Sequence, residues 1–149
     1  MLKKKKSYIK IISAIYRYSQ GCIGEKIKGY NIGKGQWFYL TQLLFNEDGL
    51  TQDELSRILY VDKANTARAL NKLEEEGFVY RVEDAEDKRK NRVYVTDKSA
   101  GFKTEFHQIF KDYNKVLVAG FTDKEKEIAL DLLNRMLENV IGCKDDKHV

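Results

Sequence analysis

Residues 83–96 read EDAEDKRKNRVYVT. Lys88, Arg89, Lys90 and Arg92 crowd four cations into one short loop between an acidic approach and an alternating apolar tail. Like charge at that density costs stability unless something anionic cancels it. Two chemistries fit. One is a solvated charged turn that keeps a sheet edge from aggregating. The other is a row of donors for phosphate oxygens, each neutralised phosphate releasing counterions. In the second, Arg89 at the apex enters a minor groove, where negative potential rewards a guanidinium. Asp87 braces Arg89 from the side, and Lys88, Lys90 and Arg92 reach flanking phosphates.

A second cluster lies upstream, in LTQDELSRILYVDKANTARALNKLEEEGFVYR. Thr66, Leu70 and Leu73 recur at helical spacing and define an inward face. The opposite face carries Lys63, Ala64, Asn65, Arg68 and Lys72, with Asn71 at its edge and Gln52 at the start of the preceding helix. Asparagine can bond the N6/N7 edge of adenine and arginine the O6/N7 edge of guanine. Lysines suit phosphates. Any exposed helix carries Lys and Arg, so the helix alone decides little. A basic hairpin tip following so closely is the rarer coincidence.

Positioning these side chains takes a helix, a turn, a second helix and a hairpin. Thr51 and Glu54 form a capping box that starts a short helix near Gln52, with Leu55, Ile58 and Leu59 expected inside. Asp62 caps the second helix, which runs to about Glu76 and stops at Gly77. FVYRV (78–82) and RVYVT (92–96) alternate like the strands of a half-solvated hairpin.

Upstream, Ile9, Ile12, Ile15 or Tyr16, and Cys22 or Ile23 trace a helical stripe. GYNIGKG (29–35) breaks it, and GQWFYLTQLLFNEDG (35–49) reads as a further helix. Downstream, Phe102, Phe106, Ile109 and Tyr113 trace one stripe. Ile128, Leu132, Met136 and Val140 trace another, behind a capping box of Thr122 and Glu125. The expected fold class is mainly α with a small β-hairpin wing (α+β): a winged helix-turn-helix with a helical dimerisation region. Residues 1–149 are expected to form a single domain, 50–97 being the winged helix-turn-helix lobe and 7–28 and 98–142 the dimerisation helices. The terminal stripes carry more apolar surface than so thin a domain buries by itself.

The 149 residues are 42% hydrophobic and 34% charged, lack proline and carry a net charge of +4, which suits a helical globular protein and permits a nucleic-acid partner. Cys22, Cys143, His107 and His148 form no metal-ligating pattern, so neither metal nor cofactor is expected. There is no GxSxG, HExxH or P-loop, and GKG at 33–35 falls short of a dinucleotide fingerprint, so no enzyme is expected. The basic start, Lys3 to Lys6, leads into no long apolar stretch, which argues against a signal peptide or membrane span, and the two distant cysteines suit free thiols in a reducing cytoplasm.

At this point the chain, from about residue 9 to 141, resembles the MarR group of bacterial winged-helix regulators. The likeness rests on LTQDELSRILYVDKANTARALNKLEEEGFVYRVEDAEDKRKNRVYVTDK, with its LExxGFV exit and a D-x-R wing ending in V-x-V-T. Asp87 and Arg89 match the wing pair, Arg68 matches a basic position of the recognition helix, and GQWFYL resembles the opening of the second helix. Ala85 stands where the family usually has proline, Glu86 where a basic residue is common, and Gly101 comes late. The resemblance implies a homodimer whose wings straddle a pseudo-palindromic operator on double-stranded DNA, with repression relieved by a small ligand or an oxidant. An aromatic effector would be lined by Tyr16, Tyr30, Trp37 and Tyr39. Oxidant sensing through Cys22 or Cys143 matches the family's peroxide sensors poorly. A module that makes only protein contacts is the remaining alternative, and it would have no need of Arg68 and Arg89 together.

Overall fold

The structure, a computed structural model, describes residues 6–145, so Lys3 to Lys5 and His148 lie outside the described residues. These fall into two compact units, one extending up to Lys111 and the other from Asp112 on.

In the first unit, α1 (Tyr8–Ile27) buries only Gln20, Ile23 and Ile27. Its remaining apolar stripe, including Ile9, Ile12, Ile15 and Tyr16, is exposed. A 3₁₀ turn follows and ends at Asn31, which is left-handed at φ 60°. The centre of the unit is α2 (Trp37–Phe45), which buries Trp37, Tyr39, Leu40, Leu43 and Leu44. It is shorter than the 35–49 stretch suggested, because its carboxyl end stops at Asn46.

The capping box of α3 (Gln52–Ile58) is present: Glu54 N–H donates to Thr51 Oγ1 at 3.2 Å, and Thr51 N–H to Glu54 Oε2 at 2.8 Å. Asp62 caps α4 (Lys63–Glu75), accepting from Asn65 N–H at 2.8 Å. Thr66, Leu70 and Leu73 are fully buried, as their spacing predicts. Gly77, at φ +77°, ends the helix, where Phe78 N–H reaches Leu73 O at 2.8 Å. Ile58 departs from expectation. It is 43% exposed, the buried side of α3 running through Leu55 and Ser56, which leaves Ile58 at its flank.

The helix-turn-helix corner passes through Tyr60, left-handed at φ 55° and 61% exposed. A side chain in this region costs roughly 1–2 kcal/mol, and so exposed a ring recovers little of that by packing. Tyr60→Gly is therefore expected to stabilise the fold by about 1 kcal/mol, after allowing for glycine's extra unfolded-state freedom. A lower urea midpoint for the variant would contradict this.

The wing strands are β2 (Val79–Glu83) and β3 (Asn91–Val95), antiparallel with Arg81 opposite Val93. A third strand, β1 (Leu50–Thr51), pairs with the other edge of β3 and gives the order β1-β3-β2. Two residues are too few to show alternation, so the sequence suggested a hairpin alone. Gly49 leads into β1 at φ +76°, where a Cβ would come within 2.7 Å of the Tyr94 ring. A short helix, α5 (Asp97–Ala100), also went unforeseen. Thr96 caps it, and Ser99 Oγ donates to Phe78 O at 2.6 Å.

The helix α6 (Lys103–Leu117) runs across the boundary between the units, and its Phe106 is fully buried. The second unit contains α7 (Asp123–Asp145), opened by the expected capping box of Thr122 and Glu125. None of its described residues is buried, and Ile128, Leu130, Leu132, Leu133, Leu137 and Val140 are exposed. No helix among the described residues is long and apolar enough to cross a membrane.

Candidate nucleic-acid interface

The wing tip is closed by Asp84 N–H donating to Lys90 O, and Lys90 N–H to Asp87 O, both at 2.9 Å. Asp87 grips Arg89 three times: the backbone N–H at 3.1 Å, Nε at 3.0 Å and Nη2 at 3.1 Å. The Arg89 side chain is nonetheless 90% exposed, so the fork aims the guanidinium outward without withdrawing it. Hydrogen bonds from the Arg89 side chain and backbone, with the charge of Lys90 nearby, hold the Asp87 carboxyl below the usual range. The brace therefore stays ionised at neutral pH. Lys88 and Lys90 are exposed beside it.

Arg92 departs from the expected phosphate role. Its Nε donates to Asp84 Oδ1 at 3.0 Å and its Nη1 to Gly49 O at 2.9 Å. That guanidinium ties the base of the wing to the turn before β1, and the nearly buried Asp84 keeps it there.

The exposed face of α4 carries a relay. Asn65 Nδ2 donates to Asp62 Oδ2, and Arg68 Nη2 donates to Asn65 Oδ1. The backbone N–H of Asn65, then its side chain and the Arg68 charge, hold Asp62 below the ordinary carboxylate range. Ala64 is exposed beside this chain and leaves the approach to it open. Lys63 faces Asp53 at 3.5 Å and Lys72 faces Glu76 at 3.8 Å. Such exposed pairs are weak and exchange readily for another anion.

Gln52 and Asn71 are brought together by a residue the sequence reading passed over, Arg81 of β2. Its Nη1 donates to Gln52 Oε1 at 2.7 Å and its Nη2 to Asn71 Oδ1. A usable cue existed: the strand's alternation places Arg81 on the same face as buried Val79, an unusual seat for a cation.

Of the four aromatic candidates, Tyr16 and Tyr39 line a cleft of about 520 Å³ together with Phe38, Leu59, Asn65 and Arg68. Tyr39 is itself buried, its hydroxyl 3.3 Å from Thr66 Oγ1, whereas Trp37 is buried and Tyr30 half-buried against other aromatic rings. Trp37 Nε1 donates to Gln20 Oε1 at 3.0 Å, and its ring packs 5.0 Å from Phe110. Tyr30 donates to Glu105 and packs edge-on to Phe102 and Phe106. Cys22 and Cys143 are free and exposed.

A helix-turn-helix followed by a hairpin wing, each carrying an exposed arginine, is an architecture also found in proteins that bind duplex DNA. The MarR family model matches residues 30–90. A MarR transcriptional regulator from Methanosarcina mazei Go1 is 38% identical, superposes with a TM-score of 0.83, and is matched over 93% of this chain and 99% of its own. A Listeria monocytogenes protein assigned to the same family and complexed with 26-mer DNA is 26% identical, with a TM-score of 0.84 over 91% of this chain and 90% of its own. The HTH-type transcriptional regulator YybA of Bacillus subtilis is 29% identical over 115 residues, 77% of this chain and 76% of its own length. The chain belongs to the MarR family and is a DNA-binding transcriptional regulator, not an enzyme.

Proposed function

We propose that the protein acts in the cytoplasm as a homodimeric repressor that reads a pseudo-palindromic operator and is released by a small aromatic effector. The carrying observation is the Asp87–Arg89 fork, which holds a 90% exposed guanidinium at the wing tip. Arg89 enters the minor groove, Lys88 and Lys90 contact the phosphates beside it, and α4 lies in the major groove. Within α4, Arg68 reads guanine. Asn65, whose amide is engaged on both sides, aims Arg68 in place of reading adenine itself. Lys63 and Lys72 take phosphates, and residues 50–97 are the reading lobe.

Support for the dimer comes from α1 and α7, whose exposed apolar rows are costly in water and fit helices covered by a second copy. On this reading 7–28 and 98–142 are the dimerisation segments. The effector reading rests on the cleft, in which Tyr16 and Tyr39 share walls with Asn65 and Arg68. An aromatic ring stacked there would compete for the side chains that read the operator.

Selection of duplexes from a random pool, followed by titration against salt, tests the reading. A two-fold symmetric site with half-sites about one helical turn apart is expected. Its log–log salt slope should be near −0.9 for each phosphate neutralised. Absence of duplex binding at low salt would point instead to a winged helix used for protein contacts.

A further inference from the structure

Arg81 is deeply placed for an arginine, its side chain only 18% exposed. It bridges three elements: Gln52 in the first turn of α3, Asn71 and Glu74 on α4, and its own strand β2. Besides the two amide contacts, Nε donates to Glu74 Oε2 and Nη2 to Glu74 Oε1, both at 3.3 Å. Glu74 thus balances the guanidinium charge, and Arg81 is poorly placed to serve as a phosphate counterion itself.

The chemistry of this clasp fixes the orientation of both carboxamides. A guanidinium only donates, so Gln52 and Asn71 must each turn their carbonyl oxygen toward it. Their NH₂ groups therefore point away. Asn71 is exposed and Gln52 part-exposed, and the clasp engages only the oxygen of each amide. Gln52 lies at the amino end of α3, and Asn71 lies beyond the amino-terminal part of α4 that reaches base edges in helix-turn-helix proteins. Donors at such places suit backbone phosphates.

We propose that Arg81 is a positioning residue for DNA binding, which locks the Gln52 and Asn71 amides with their N–H groups presented to phosphate oxygens. The inference rests on the DNA-binding reading above. Arg81 acts through the two amides and does not touch DNA.

A double-mutant cycle tests it, with fluorescence anisotropy on a selected duplex. Arg81→Met keeps the stem and removes the fork. It should weaken binding on the order of tenfold, since neutral hydrogen bonds are lost in each copy, and leave the salt slope unchanged, because such bonds release no counterions. In a Gln52→Ala/Asn71→Ala background the same substitution should cost less than about twofold, the coupled term having gone. An equal loss in both backgrounds would overturn the proposal. So would a slope lowered by about 0.9 per copy, the mark of a direct phosphate contact.

Should Arg81→Met unfold, Gln52→Glu and Asn71→Asp carry the test. Both keep an oxygen for Arg81, so melting temperatures should hold or rise while binding falls tenfold or more, roughly the effect of setting a carboxylate against a phosphate. Unchanged binding in both would overturn the proposal. Wild-type protein that bound no duplex at low salt would instead remove the DNA-binding reading, and the two failures are distinct.

Discussion

Replacing Leu133 and Leu137 by lysine is expected to convert the protein into a monomer and to weaken operator binding by roughly 10²–10⁴-fold, the usual gain from linking two binding modules. The two leucines are 53% and 39% exposed on α7, a helix none of whose described residues is buried. A helix apolar over so much of its circumference is stable in water only when something covers it. If the cover is a second copy, the two substitutions remove four leucines from one interface. Only their exposed surface, a little under two whole leucine side chains over both copies, is left for a partner to cover; at about 1.5–3 kcal/mol per fully buried leucine that is roughly 3–6 kcal/mol, before the cost of bringing lysines into the seam. The reading lobe should fold as before, because its core of Leu55, Leu70, Leu73, Phe78 and Val93 lies within the first unit. Sedimentation and far-UV circular dichroism separate the cases. A variant that still sedimented as a dimer at micromolar concentration would remove α7 from the interface.

Features set by near neighbours in the chain were legible beforehand, and those set by distant ones were not. The caps at Thr51, Asp62 and Thr122 act within one helical turn, so residue type and spacing revealed them. The Asp87–Arg89 fork spans two residues and was equally readable. The inward face of Thr66, Leu70 and Leu73 followed from helical period alone.

By contrast, Arg81 joins residues 52, 71 and 74, and Arg92 joins 49 and 84, through contacts that exist only once the strands pair. Arg92 illustrates the consequence. Counted by charge it belongs with Lys88, Arg89 and Lys90, yet pairing in β3 puts it beside Asp84. Tyr30 and Trp37 show the same limit for rings. An aromatic residue in sequence does not say whether its polar end will find a protein partner, as Trp37 finds Gln20 and Tyr30 finds Glu105, or be left for a ligand.

The two arginines that remain outward should lose binding in different ways. Arg89→Ala is expected to weaken every duplex similarly, and to lower the magnitude of the salt slope by about 0.9 for each copy that had neutralised a phosphate-lined groove. Its fold should survive, because a side chain 90% exposed contributes little to the core. Arg68→Ala should lose about 5- to 150-fold for each half-site of the preferred operator and far less on a site altered at the guanine it reads, so that preference at one position of each half-site collapses. Asn65→Ala separates aiming from reading. If Asn65 aims Arg68, its removal relaxes that same position; if it reads adenine on its own, a neighbouring position relaxes instead. Because a two-fold complex contains each residue twice, the combined Arg68→Ala/Arg89→Ala protein should show no preference for operator over random duplex at physiological salt. Full discrimination by that double variant would place sequence reading elsewhere on the molecule, and with it the role assigned here to α4 and the wing.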